Sequence, residues 1–149
     1  MASEREILNE FIAKSLYSVF DAEKRFLETC TNGELTSKEI HLLEAVFNAQ
    51  KIGNNNFSFV ANKLGITLGT LTTAVSKLER KKYLKKERFI IDQRVYYIVP
   101  LPKAAKVHEL HMKWHEKIID DTLKCIPEKD LPVFVNALNN LSWAINKHV

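Results

Sequence analysis

Apolar residues recur three or four positions apart along the first thirty residues: Ile7, Leu8, Phe11, Ile12, Leu16, Val19, Phe20, Phe26 and Leu27. That spacing predicts a long amphipathic helix over 4–30. TNGEL at 31–35 interrupts it. Thr36 followed by Glu39 has the spacing of a capping box, and Ile40, Leu42, Leu43, Val46 and Phe47 come next, so a second helix starts near 37. KIGNNN at 51–56 is rich in turn formers. A short third helix over Ser58–Leu64 ends at Gly65, which suits a left-handed terminal position. A fourth helix runs from about Leu68 to Lys82. LKKERFI and RVYYIV then flank a short turn as an antiparallel hairpin, closed off by Pro100 and Pro102. Two more helices, about 103–125 and 129–147, follow on either side of Ile126–Pro127.

The fourth helix has an unusual polar side. Leu71, Ala74, Val75 and Leu78 share one face and pack inward, which leaves Gly69, Thr70, Thr72, Thr73, Ser76 and Lys77 outside. Threonine is a poor helix former, so four of them at 67, 70, 72 and 73 need a reason beyond helix propensity. Short hydroxyl side chains allow close approach to base edges, and their methyl groups match thymine methyls. Gly69 near the helix start leaves room for a phosphate. The alternative is an exposed helix with indifferent threonines.

Two short helices joined by a tight turn and followed by a hairpin make a winged helix-turn-helix. The fold class is therefore mostly α with a small β-hairpin wing (α+β). One chain of 1–149 divides into a winged helix-turn-helix at 34–102 and flanking helical dimerisation segments at 1–33 and 103–149. The flanking helices have apolar faces to cover; a homodimer covers them economically, and packing back on the same domain is the alternative.

Charge sharpens this picture. The whole chain carries a net +4, yet between 77 and 94 eight cations (Lys77, Arg80, Lys81, Lys82, Lys85, Lys86, Arg88 and Arg94) face three acids, a net of +5. Such a run can be a solvated face, but beside a candidate reading helix it points to a polyanion. Composition, 46% hydrophobic and 27% charged, is that of an ordinary folded domain. No apolar run reaches the roughly 18 residues that cross a membrane, and MASEREILNE lacks the apolar centre of a secretion signal, so a cytoplasmic protein is expected. Cys30 and Cys125 form no ligand motif and read as free thiols.

TLGTLTTAVSKLERKKYL at 67–84 with the Asp92-Gln93-Arg94-Val95 stretch resembles the reading helix and wing of the MarR family of bacterial transcriptional regulators. With HELHMKWH at 108–115, the likeness is to the FabT-type repressors of fatty-acid biosynthesis genes. The resemblance implies a homodimeric repressor on an inverted-repeat operator in double-stranded DNA. Thr70, Thr72, Thr73 and Ser76 would face bases, and Lys77 and Lys82 phosphates. Arg94 would enter the minor groove, with Asp92 holding the wing. It also implies an acyl chain on acyl carrier protein as effector, with a pocket near Leu16, Phe20, Leu43, Phe47, Leu110 and Trp114; those six also read as ordinary core. The chain departs from the family pattern at Pro100–Ala104, where Leu-Thr-x-x-Gly is common, and at Gln93, where arginine is frequent. It departs again at Phe89-Ile90-Ile91, an apolar approach to the wing tip.

His108, His111 and His115 share a helix face. With His41 and Cys30 they permit an alternative reading as a zinc-responsive regulator. Histidines on an amphipathic helix more often pack and hydrogen-bond, so no cofactor is required. No P-loop, G-x-S-x-G, H-E-x-x-H or recognisable carboxylate pair is present, which argues against an enzyme. A non-catalytic helical interaction protein is the reading from another class.

Overall fold

The computed structural model describes residues 1–148. They fall into two compact units, Met1–Leu110 and the described residues from His111 onward.

In the first unit, α1 (Glu4–Glu10) opens with a capping box between Ser3 and Glu6. It passes through a π-helical turn (Phe11–Ser15) into α2 (Leu16–Thr31). The long helix expected over 4–30 is thus continuous in path but widened once. Asn32, with φ 51°, ends α2 in the left-handed region. α3 (Ser37–Lys51) starts where Thr36 Oγ1 accepts the Glu39 amide at 3.3 Å and the Glu39 carboxylate accepts the Thr36 amide at 2.9 Å.

α4 (Phe57–Leu64) is capped by Asn56, whose side chain accepts the Phe59 amide at 2.9 Å. Gly65, with φ 63°, turns the chain, and Thr67 caps α5 (Leu68–Arg80) by accepting the Thr70 amide at 3.1 Å. α5 ends two residues before the expected Lys82. Lys81 caps it, and Lys82 itself takes φ 64° in the turn beyond.

The wing pairs β1 (Leu84–Arg88) with β2 (Tyr96–Pro100), in register from Leu84↔Pro100 to Arg88↔Tyr96. Both strands are shorter than the sequence suggests, because Phe89–Val95 form the connecting turn. Pro100 ends β2 within the ladder, and Pro102 starts α6 (Pro102–Cys125), a helix position where its missing amide costs nothing.

The core of this unit joins Ile40, Leu43 and Val46 of α3 to Val60 of α4, Leu71, Val75 and Leu78 of α5, and Leu84 and Ile98 of the wing, all fully buried. Ala74 is half-buried at its edge. The loop before α4 also holds the wing. Ile98 N donates to Asn55 O at 2.9 Å, and Asn55 Nδ2 returns to Ile98 O at 2.7 Å.

The second unit continues α6 from His111, and a single 3-10 turn (Glu128–Asp130) leads into α7 (Leu131–Lys147). No residue of α7 is buried, and Val133, Val135, Leu138 and Trp143 are exposed. No helix among the described residues is long and apolar enough to cross a membrane.

Candidate nucleic-acid interface

The buried stripe of α5 dictates which side is offered outward. With Leu71, Val75 and Leu78 anchored in the core, Gly69, Thr70, Thr72, Thr73 and Lys77 are exposed together, and Leu68 at the first helical position is exposed beside them.

Hydrogen bonding on this face is largely internal. Thr72 Oγ1 donates to Leu68 O at 2.8 Å, Thr73 Oγ1 donates to Gly69 O at 3.1 Å, and the Thr67 and Thr70 hydroxyls bond each other at 2.8 Å. With their protons so engaged, Thr72 and Thr73 present methyl groups and oxygen lone pairs outward rather than free donors.

Ser76 lies deeper. It is half-buried, and its hydroxyl accepts Lys86 Nζ of β1 at 2.7 Å. Lys86 also binds Glu79, through its amide at 3.2 Å and its ammonium at 3.7 Å. These bonds fix the wing against the helix. Lys86 stands out in the sequence only as one of eight cations, because its partners Ser76 and Glu79 come from the helix before it, ten and seven residues earlier.

At the wing tip, Asp92 closes the turn by accepting the Arg94 amide through Oδ1 and the Val95 amide through its carbonyl, both at 3.0 Å. Arg94 is exposed. It helps line a concavity of about 620 Å³, with Thr72 and Leu68 of α5, Lys86 of β1, Tyr96 of β2, and Asn56 and Ser58 at the start of α4. Lys86 and Arg94 from the two sides of the wing, the amino end of α4 and Thr72 of α5 thus bound one recess, with Phe57, Leu68 and Val95 as its apolar lining. That chemistry suits a phosphate-bearing strand.

Behind this surface, the amino end of α3 holds the carboxyl end of α5. Lys81 Nζ donates to Glu39 Oε1 at 2.8 Å and to Glu34 O at 2.6 Å, and Lys77 Nζ lies 3.3 Å from Glu39. Burial raises the Glu39 carboxyl, but hydrogen bonds from Lys81, Thr36 and Lys77 outweigh it and hold the group below its ordinary range. Lys103 and the Tyr83 phenol each donate to the Glu34 carboxylate at 2.7 Å, which lowers Glu34 as well. Burial and the same carboxylate push the Tyr83 phenol far up, so Tyr83 stays protonated.

The remaining candidates are dispersed. Leu43 is core, Phe47 stacks on His108 at 4.2 Å, and Leu16, Phe20 and Leu110 are exposed. Trp114 lies in the second unit, its ring 5.2 Å from that of His115. None of the six lines the recess under the wing. His41 Nε2 sits 2.9 Å from Glu23 Oε1. His111 is buried, with its ring 4.3 Å from that of His115. Burial raises the Cys30 thiol, which disfavours the thiolate a metal would need.

No protein-family model matches the chain. Among solved structures it is similar to Streptococcus pneumoniae FabT in complex with DNA. Identity is 25% and the TM-score 0.85, over 98% of this chain and 100% of that one. The Staphylococcus aureus MepR–DNA complex is similar at 17% identity and TM-score 0.71, over 97% and 99% of the two chains. A MarR protein from Peptoclostridium difficile is similar at 19% and 0.69, over 99% and 94%. Among curated proteins, the uncharacterized HTH-type transcriptional regulator YhjH of Bacillus subtilis is 27% identical over 97 residues, 65% of this chain. The match spans about half, 54%, of that relative. A capped α5, a wing clamped to it and this likeness along nearly the whole chain agree: the chain has the winged helix-turn-helix fold of these solved structures.

Proposed function

We propose that this protein is a sequence-specific, double-stranded-DNA-binding transcriptional regulator that acts as a homodimer on an inverted-repeat operator. The observation that carries the reading is the exposed threonine face of α5 beside the Arg94–Lys86 recess. Each subunit lays α5 in a major groove, with Thr70, Thr72 and Thr73 toward bases. Ser76 serves the same surface indirectly by holding Lys86. Lys77 and Lys82 meet phosphates, and Arg94 enters the adjoining minor groove. Two-fold symmetry sets the half-sites about one helical turn apart, roughly 10 base pairs. Much of the affinity comes from phosphate contacts and falls steeply with salt.

The test compares a duplex enriched from a random-sequence pool with an unselected duplex. Thr72→Ala and Thr73→Ala lower the ratio of the two affinities by about tenfold, whereas Lys82→Ala weakens both duplexes alike. Variants that bind both duplexes as the parent does would remove α5 as the reading helix.

For the effector, the fatty-acid repressor resemblance supports an acyl chain delivered by acyl carrier protein. Its test is operator binding with long-chain acyl carrier protein, free carrier protein and zinc side by side. A ligand shifts the operator equilibrium only by binding the two conformations unequally. Absence of a response to the acylated carrier removes the fatty-acid assignment and leaves DNA binding untouched.

A further inference from the structure

The wing tip carries a feature that electrostatic docking does not use. Ile90 and Ile91 are 94% and 86% exposed, side by side in the turn between β1 and β2. They do not build the hairpin. Phe89 N donates to Val95 O at 2.9 Å, Asp92 accepts the two amides that close the turn, and the Phe89 ring packs edge-on against Tyr97 at 5.2 Å. Branched apolar side chains are also poor turn formers, so this pair is costly where it stands.

We infer that Ile90 and Ile91 seat against the deoxyribose edge of the minor groove when a duplex occupies the Arg94 recess. The inference rests on the DNA-binding reading above and adds to it an apolar, shape-sensing contact. Three observations favour a duplex as the occupant. The pair sits within four residues of Arg94, which lines the recess together with Thr72 of α5. The flanking wing residues Arg88 and Arg94 are both exposed cations, so the apolar pair stands between two positive charges, while the one acid of the turn, Asp92, faces the Arg94 amide. The minor groove, about 6 Å wide, offers sugar C–H groups as its walls and admits a hairpin tip. Apolar burial there displaces no counterions, so its contribution is independent of salt, unlike that of the cations around it.

The experiment uses a duplex enriched from a random-sequence pool by the parent protein, with binding followed across a salt series for the parent, an Ile90→Ala/Ile91→Ala double variant and Arg94→Ala. The double variant binds about tenfold more weakly at every salt concentration, with an unchanged salt slope. Arg94→Ala lowers the slope by about 0.9. Hydroxyl-radical cleavage, which attacks deoxyribose from the minor groove, shows protected sugars under the parent's wing that become exposed with the double variant. Both variants change exposed side chains, and coincident unfolding curves establish that they remain folded.

Parent-like affinity and protection in the double variant overturn the inference while leaving the DNA-binding reading standing. So does a loss expressed only as a changed slope. If the double variant keeps its DNA affinity but loses binding to anionic phospholipid vesicles that the parent binds, the tip serves a membrane surface and the inference is equally overturned. A parent that enriches no sequence overturns both readings together.

Discussion

Thr72 shows how a single side chain narrows what the reading face can recognise. Its hydroxyl proton goes to Leu68 O, so in the proposed docking the methyl group is what a base meets first. Thr72→Val keeps an outward methyl and retains preference for a thymine-bearing half-site, while Thr72→Ser keeps the hydroxyl and loses about fivefold to tenfold of it. Competition binding on duplexes with thymine or uracil at each half-site position reads the difference directly. The sequence shows that these threonines are outside the helix core, because a 3.6-residue period sorts inward from outward positions. It does not show which hydroxyls bond back to the helix. Nor does it separate Ser76 from its neighbours, since its Lys86 partner comes from another element.

Elements were legible where local chemistry sets their ends. The Thr36–Glu39 box, Gly65 and Pro102 each mark a boundary within a residue of where it lies. The strands are shorter than the pattern suggests, because Phe89 and Ile90 have high strand propensity but follow the last ladder pair, where only the turn remains. The π-helical turn left no signal at all. The clamp between α3 and α5 was also hidden, since Glu39 is visible as a cap but not as an acceptor for Lys77 and Lys81.

That clamp predicts acid behaviour. Glu39 and Glu34 are both depressed in the folded chain, so the unfolded chain binds more protons, and stability rises with pH through the carboxylate range. The stabilisation is fully present at neutral pH and is lost as the solution falls below about pH 4. Glu39→Gln keeps much of the cap but removes a titrating charge, so its melting temperature declines less between pH 5 and about pH 3 than the parent's.

At the scale of the whole molecule, the flanking helices carry more apolar surface than one subunit covers. Ile7, Leu8, Phe11, Ile12, Val19 and Phe20 are all exposed, as are Val133, Val135 and Trp143 in α7. Exposure of this extent marks an association surface, and a second copy is the partner that the proposed operator symmetry requires. Leu8→Asp with Phe11→Asp converts the protein to a monomer in sedimentation measurements. The pair lowers affinity for a two-half-site duplex by at least about a hundredfold and leaves the weak affinity for a single half-site in place. The amphipathic pattern made these faces readable in advance, but from periodicity alone they could equally have been core.

The π-helical turn at Phe11–Ser15 gives those faces a phase. A plain α-helix advances about 100° per residue, and one extra residue held in a wider turn offsets everything before it against everything after. Chain length across those five positions, rather than their chemistry, therefore governs which stripe of α1 lines up with which stripe of α2. Deleting Lys14 or Ser15 would swing the turns before it roughly a quarter of a revolution about the axis. A mating surface would rotate away without a single apolar residue being lost.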